Sequence, residues 1–228
     1  MEIETKPECL GFIMDGNRRW AREHGLETYE GHKQGGDVLR NCIAWLVSEH
    51  ISHGVFYAFS TENWQRSEAE VSYLMNLFRE WISQLQEPVR VRFIGRREDL
   101  PEDLQRNMAA LEADTKDTAG TTIWVALSYG GRDEIVRAVN ELVAEAVASG
   151  QAEKLSEESF SARLDTSELP DPDMIIRTSG EQRLSGFLTW KSTYSELHFI
   201  DKHWPALTEA DFEDILSEYA TRERRRGK

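Results

Sequence analysis

The sequence predicts an α/β fold: a single domain over residues 1–228, with a mostly parallel central sheet flanked by helices. Three observations carry this. Short apolar, β-rich runs alternate with segments whose apolar residues recur at steps of three and four. A chain of 228 residues is the size of one large domain, and roughly 70% of its unfolded surface can be buried without a metal or disulfide to staple it. No repeat or low-complexity tract divides it.

Taken in order, Leu10–Met14 is the first strand, followed by the polar loop Asp15–Trp20. Gly31-His32-Lys33 opens a helix whose inward stripe is Val38, Leu39, Cys42, Ile43 and Leu46. Val55–Phe59 is the second strand. A second helical stripe follows: Val71, Leu74, Met75, Phe78, Trp81, Ile82 and Leu85. Val89–Ile94 and Thr122–Leu127 are the third and fourth strands. The next stripe is Ile135, Val136, Val139, Leu142 and Val143, in a helix that ends at Gly150. The region Ala148–Ser161 is a polar surface excursion. Met174–Arg177 and Glu196–Ile200 complete the sheet, and the basic tail Arg222–Lys228 is a frayed, solvated end.

Charge narrows the function. Lys+Arg 27 against Asp+Glu 41 leaves a net −14, which opposes general nucleic-acid binding. Half of it lies between Glu141 and Asp173, where nine acids face two bases. Asp15 to Arg22 does the reverse, with three arginines to one acid. An acidic chain with a local basic knot points to an anion site. The two cysteines, Cys9 and Cys42, form no disulfide framework and suit a reducing cytoplasm. Met1–Gly11 is charged and has no apolar core like that of a signal peptide. No apolar run approaches the ~20 residues needed to span a bilayer.

In parallel α/β sheets ligands bind beyond the carboxyl ends of the strands. Four loops fall there: Asp15–Trp20, Ser60–Arg66, Ser128–Arg132 and Arg177–Ser185. Together they hold arginines, hydroxyls, glycines and a carboxylate. Arginine forks and glycine-exposed amides bind phosphate, and a carboxylate among them makes sense beside a Mg²⁺ that bridges to phosphate. The rim therefore reads as a metal-assisted diphosphate site. Singly the motifs say less: Asp15-Gly16-Asn17 also reads as a plain turn, and Arg177–Arg183 as a surface salt-bridge cluster. The standard P-loop and dinucleotide glycine motifs and zinc spacings are missing. His32 sits where a phosphate could meet a helix start; His198 and His203 read as structural. Most of the seven tryptophans read as core, but Trp20 and Trp64 lie in charged loops, where an aromatic face could steady a cation.

These residues resemble a known family. Ile13–Asn17 with Arg19-Trp20, Gly31–Lys33, Tyr57–Ser60 with Glu62–Trp64, Tyr129–Ile135, Asp173 with Ile176–Thr178, Gly180-Glu181 with Arg183, and Tyr194 with Glu196-Leu197 match the cis-prenyltransferases, the undecaprenyl diphosphate synthase family. The resemblance runs from about Gly11 to the end of the chain. It implies a Mg²⁺-dependent homodimer that joins prenyl diphosphates beside an apolar tunnel. Asp15 is then the catalytic aspartate and a Mg²⁺ ligand, and Glu196 a second metal-associated carboxylate. Gly16, Asn17, Arg19 and His32, with Arg18 and Trp20 beside them, take the allylic diphosphate. Arg66, Arg177, Arg183 and Ser185 take the second diphosphate, and the loop of Ser60, Asn63 and Trp64 assists catalysis.

Several residues depart from the family pattern: Arg18 for glycine, Thr28 for arginine, Ser128 for asparagine, and Thr189, Lys191, Thr193 and Ser195 after Phe187. The stretch from Trp81 to Val89 is about four residues shorter than in long-chain members. The resulting expectation is a ten-carbon product made from two five-carbon diphosphates, irregular or cyclised in the cyclolavandulyl manner from two dimethylallyl units. The alternatives are regular elongation with isopentenyl diphosphate and a non-catalytic accessory subunit; such subunits lack the aspartate that Asp15 supplies.

Overall fold

A computed structural model describes residues 6–151 and 154–222. Residues 223–228 of the basic tail and 152–153 of the polar excursion lie outside the described residues. Six strands, β1 (Cys9–Ile13), β2 (His53–Ser60), β3 (Arg90–Ile94), β4 (Thr122–Tyr129), β5 (Met174–Arg177) and β6 (Glu196–Phe199), form one sheet in the order β3-β4-β2-β1-β5-β6. Every pairing is parallel. All six predicted strands are present, with ends within two residues of expectation.

The helices are α1 (Asn17–Glu23), α2 (Thr28–Ser48), α3 (Glu68–Gln84), α4 (Glu102–Thr115), α5 (Gly131–Ser149), α6 (Glu157–Ser161) and α7 (Glu209–Thr221). Strand β1 is buried along its whole length, as expected of a strand covered on both faces. Leu10 and Phe12 join one core with Leu39, Ile43 and Leu46 of α2, Leu74 and Trp81 of α3, Leu104 of α4 and Phe212 of α7. Cys9 and Ile13 point the other way, into a second core with Trp124, Tyr129, Phe187 and Leu188. Both cysteines are free and buried. No helix among the described residues is long and apolar enough to cross a membrane.

One predicted stripe divides. Ile135 and Leu142 of α5 pack inward with Ala138, but Val136, Val139 and Val143 are 57%, 42% and 55% exposed. Glu134, not a valine, takes the buried position, held by the Tyr129 hydroxyl at 2.6 Å and the Thr166 amide at 2.9 Å. An apolar stripe wider than one face gives the sequence no way to tell the inner side from the outer.

Register levels the ends of the strands. Ile13 stands beside Tyr57 and Arg177, and Arg177 beside Phe199. The four rim loops leave from this level or just above it. Pairing of β2 with β4 shifts between Tyr57 and Ser60; such irregularity re-aims a strand end.

Candidate active site

The chain leaves β1 through Asp15 and turns at Gly16, whose φ is +105°. A Cβ there would stand 2.5 Å from Ser179 Oγ and 2.7 Å from His203 Nδ1, so glycine is required on both backbone and steric grounds. His203 bonds Ser179 Oγ through Nδ1 and lies 3.0 Å from Glu23 through Nε2. It braces the back of the turn, the structural part expected of it. Gly31 of α2 is equally constrained: a Cβ would reach 2.1 Å from the Asn17 carbonyl. Helices α1 and α2 thereby pack tightly enough to aim Asn17 and His32 at one place.

Asp15 lies between two arginines. Arg177 donates to Oδ2 at 2.9 Å, and Arg19 faces Oδ1 at 3.2 Å. Burial alone would push the Asp15 carboxyl up. The hydrogen bond and charge of Arg177, with those of Arg19, outweigh it and hold the group below the usual carboxylate range. Arg177 is only 5% exposed. It also donates to the Arg183 carbonyl and, at 2.8 Å, to Ser185 Oγ.

A second knot forms on Glu70, in the first turn of α3. Arg66 donates to it at 2.9 Å, His32 Nε2 lies 3.3 Å away, and Arg18 approaches to 3.7 Å. Burial and the neighbouring Arg66 lower the pKa of His32 in spite of Glu70. Sequence reasoning missed Glu70; its spacing of four from Arg66, one helical turn, was the available signal. Arg183 pairs with Glu181, as does Arg19 at 3.2 Å.

Three connected cavities result. One of about 1060 Å³ is lined by Asp15, Asn17, His32, Ser60, Asn63, Arg66, Arg177 and Ser185. Another, of about 720 Å³, shares Asp15, Asn17, His32 and Arg66 and adds Gly16, Arg18, Arg19, Glu70 and Arg183. The third, about 420 Å³, is an apolar slot between α2 and α3, walled by Leu39, Leu74, Phe78 and Trp81. Its near end meets His32. At its far end Arg40 of α2 donates to the side-chain oxygen of Gln84 of α3 at 2.9 Å.

Most of the expected site residues therefore converge, with four exceptions, one of which is Trp64: it lines a separate cleft with Asp99 and none of the three cavities. Trp20 stacks on His24 at 4.3 Å along α1 and is not among the residues lining these cavities. Glu196 is not beside Asp15: it pairs in register with Met174, three residues below Arg177, and binds Arg222 at 2.9 Å. It opens β6, as it opens the predicted strand, and so lies at the end of the sheet away from the rim. Arg183 faces the Arg18–Arg19 cavity, not that of Arg177 and Ser185. Ser60 and Asn63 meet each other, the Ser60 amide donating to Asn63 Oδ1 at 3.1 Å, and both line the largest cavity.

Among the described residues no group of three His, Cys, Asp or Glu side chains is placed to hold a metal. A single carboxylate among arginines suits a hard cation that takes its remaining oxygens from phosphate and water, so Asp15 fits Mg²⁺ that enters with a diphosphate. If the two polar cavities take different diphosphates, Arg183→Lys, which loses the fork but keeps the charge, should raise the KM of one substrate about three- to tenfold more than the other. Equal changes in steady-state kinetics would refute the two-cavity division.

A parallel α/β domain with an arginine- and hydroxyl-lined rim opening onto an apolar slot suits diphosphate esters of hydrocarbon chains. Residues 13–227 match the prenyltransferase family described as "Putative undecaprenyl diphosphate synthase". The chain belongs to this family and is a prenyl-transferring enzyme. It is 44% identical to the isoprenyl transferase of Thermotoga maritima over 97% of each chain. It is also 44% identical to the isoprenyl transferase of Aquifex aeolicus over 97% of this chain and 96% of that one. Among solved structures it is similar to lavandulyl diphosphate synthase from Lavandula x intermedia in complex with dimethylallyl diphosphate (TM-score 0.93, 31% identity, 98% and 99% of the two chains). It is also similar to a probable undecaprenyl diphosphate synthase from Campylobacter jejuni (TM-score 0.79, 30% identity, 98% and 100%).

Proposed function

We propose that the protein is a regular cis-prenyl diphosphate synthase that extends an allylic diphosphate with isopentenyl diphosphate. The observation that carries this is the 44% identity, along nearly the whole chain, to relatives named isoprenyl transferase, against 31% to the lavandulyl enzyme. The ten-carbon irregular product expected from the sequence becomes the second reading. Three of the substitutions behind it make contacts elsewhere. Ser195 Oγ is engaged by the Pro172 carbonyl, Thr193 Oγ1 by the Trp190 carbonyl and Lys191 by Asp171. None of the three is among the residues lining the largest cavity; of that segment Thr189 and Ser192 are. What still favours the irregular reading is the fold's closeness to the lavandulyl enzyme and Arg18 facing the allylic cavity.

In this mechanism Arg18, Arg19, Arg183 and His32 bind and orient the allylic diphosphate. Arg177, Arg66 and Ser185 hold the second diphosphate. Asp15, placed between the two cavities, would hold Mg²⁺, which when bound supplies charge neutralisation on the leaving group. Arginines fixed by their own hydrogen bonds stabilise the charge that develops on the departing diphosphate without reorganising. The apolar slot receives the hydrocarbon and keeps water from it. A homodimer and a cytoplasmic location belong to the proposal; the exposed valine stripe of α5 and the two free cysteines suit them. The test is product analysis by mass spectrometry. Elongation in five-carbon steps is expected when isopentenyl diphosphate and an allylic diphosphate are both supplied, with nothing from dimethylallyl diphosphate alone. A ten-carbon diphosphate from dimethylallyl diphosphate alone would replace this reading with the irregular one.

A further inference from the structure

The segment carrying Ser60, Asn63 and Arg66 crosses the largest cavity as a single 3-10 turn, Thr61–Gln65. A turn of this kind has few internal hydrogen bonds and needs an anchor to hold its side chains over a ligand. Its anchor is Trp64. The indole Nε1 donates to Ser128 Oγ at 2.8 Å, and that hydroxyl donates onward to Asp99 Oδ2 at 2.9 Å. The indole ring also meets Phe59 edge-on at 4.9 Å. Ser128 is fully buried at the end of β4, with φ +48°. Its carbonyl accepts from the Arg96 amide at 3.1 Å, which ties it to the loop leaving β3. Asp99 belongs to a different cleft, outside the three site cavities.

A left-handed backbone at a residue other than glycine is sustained only where the surroundings over-determine it, and such residues cluster at working sites. A serine there gives its one proton to Asp99 and accepts from Trp64, so the three side chains form one hydrogen-bonded chain. We propose that Ser128 and Asp99 are positioning residues: through Trp64 they hold the 61–65 turn in place and so pre-set Arg66 and Asn63 for a diphosphate. The proposal rests on the diphosphate reading of the site. Without the anchor, the turn must be ordered at the moment of binding, and affinity falls by that entropy.

The probe is inorganic pyrophosphate with Mg²⁺, titrated calorimetrically, beside hydrogen exchange over residues 61–66. Ser128→Ala and Asp99→Ala should each weaken binding about three- to tenfold, the change one hydrogen bond carries, and speed exchange in the turn. The double variant should be no worse than the poorer single, because both cut one chain. Ser128→Asn should recover most of the affinity, since asparagine tolerates the left-handed backbone and offers both donor and acceptor. Unchanged binding in either alanine variant, or losses that add in the double variant, would overturn the proposal. If Ser128→Ala does not fold, Asp99→Ala decides alone, because Asp99 is exposed. Failure of the wild-type protein to bind pyrophosphate would instead overturn the diphosphate reading.

Discussion

Replacing Asp15 by alanine is expected to cut turnover at least about a hundredfold while the chain stays folded, since a charge placed at the leaving group supplies several kcal/mol. Its carboxylate touches Arg177 and Arg19, two of the groups assigned to the substrates' phosphates. Its folded pKa is depressed. Ionised Asp15 therefore contributes stability above the unfolded carboxyl's pKa, about 3.9, and this is lost as pH falls through the lower folded value. Asp15→Asn should thus be less stable than wild type near neutrality, with the deficit shrinking below about pH 4. Steady-state turnover with Mg²⁺ and thermal melts against pH measure the two effects. Wild-type turnover in the folded alanine variant would remove Asp15 from the mechanism.

Arg177→Lys should be nearly as damaging, and in a different way. The guanidinium reaches Asp15, Ser185 Oγ and the Arg183 carbonyl at once from a buried position. An ammonium group cannot span the three. Losing one or two charged hydrogen bonds, at about 1.5–3 kcal/mol each, should lower Tm by roughly 3–24 °C for a chain of this size. It should also cut kcat/KM about a hundredfold, because the loop from Arg183 to Ser185 loses its tether. Wild-type stability with reduced activity would make Arg177 a ligand contact only; the reverse would make it purely structural.

The expectations met and missed have a common cause. Each strand was readable because a buried parallel strand is a short apolar run, and the rim followed because strand ends in a parallel sheet share a side. Asp15, Ser60, Arg66 and Arg177 are placed on the rim in this way, and all four line one cavity. Glu196 opens its strand in the sequence as in the structure, away from the rim; its metal role is implied by the family resemblance, not by its place on the strand. Arg183 lines the cavity of Arg18 and Arg19, and Trp20 none of the three, because side-chain direction, which the sequence does not show, decides which cavity a loop residue enters. Thr193, Ser195 and Lys191 looked reactive by type, but backbone carbonyls and Asp171 occupy them. The outward valines of α5 share one helical stripe with Ile135 and Leu142, and a stripe does not say which side faces in.

The pairing of the site's arginines has one more consequence. Arg18, Arg19, Arg66, Arg177 and Arg183 share three carboxylates, Asp15, Glu70 and Glu181. The site behaves as an ion exchanger loaded with its own tethered counter-ions. A bare cluster of five guanidinium groups would draw anions from solution, and a ligand would have to displace them, which makes binding steeply dependent on salt. On the proposed reading a diphosphate displaces carboxylates that remain covalently attached, and few free ions leave with them. The resident acids also impose a threshold. A singly charged anion gains little by competing with them, whereas a diphosphate carries enough charge to take the arginines and to bring a cation for the carboxylate it displaces.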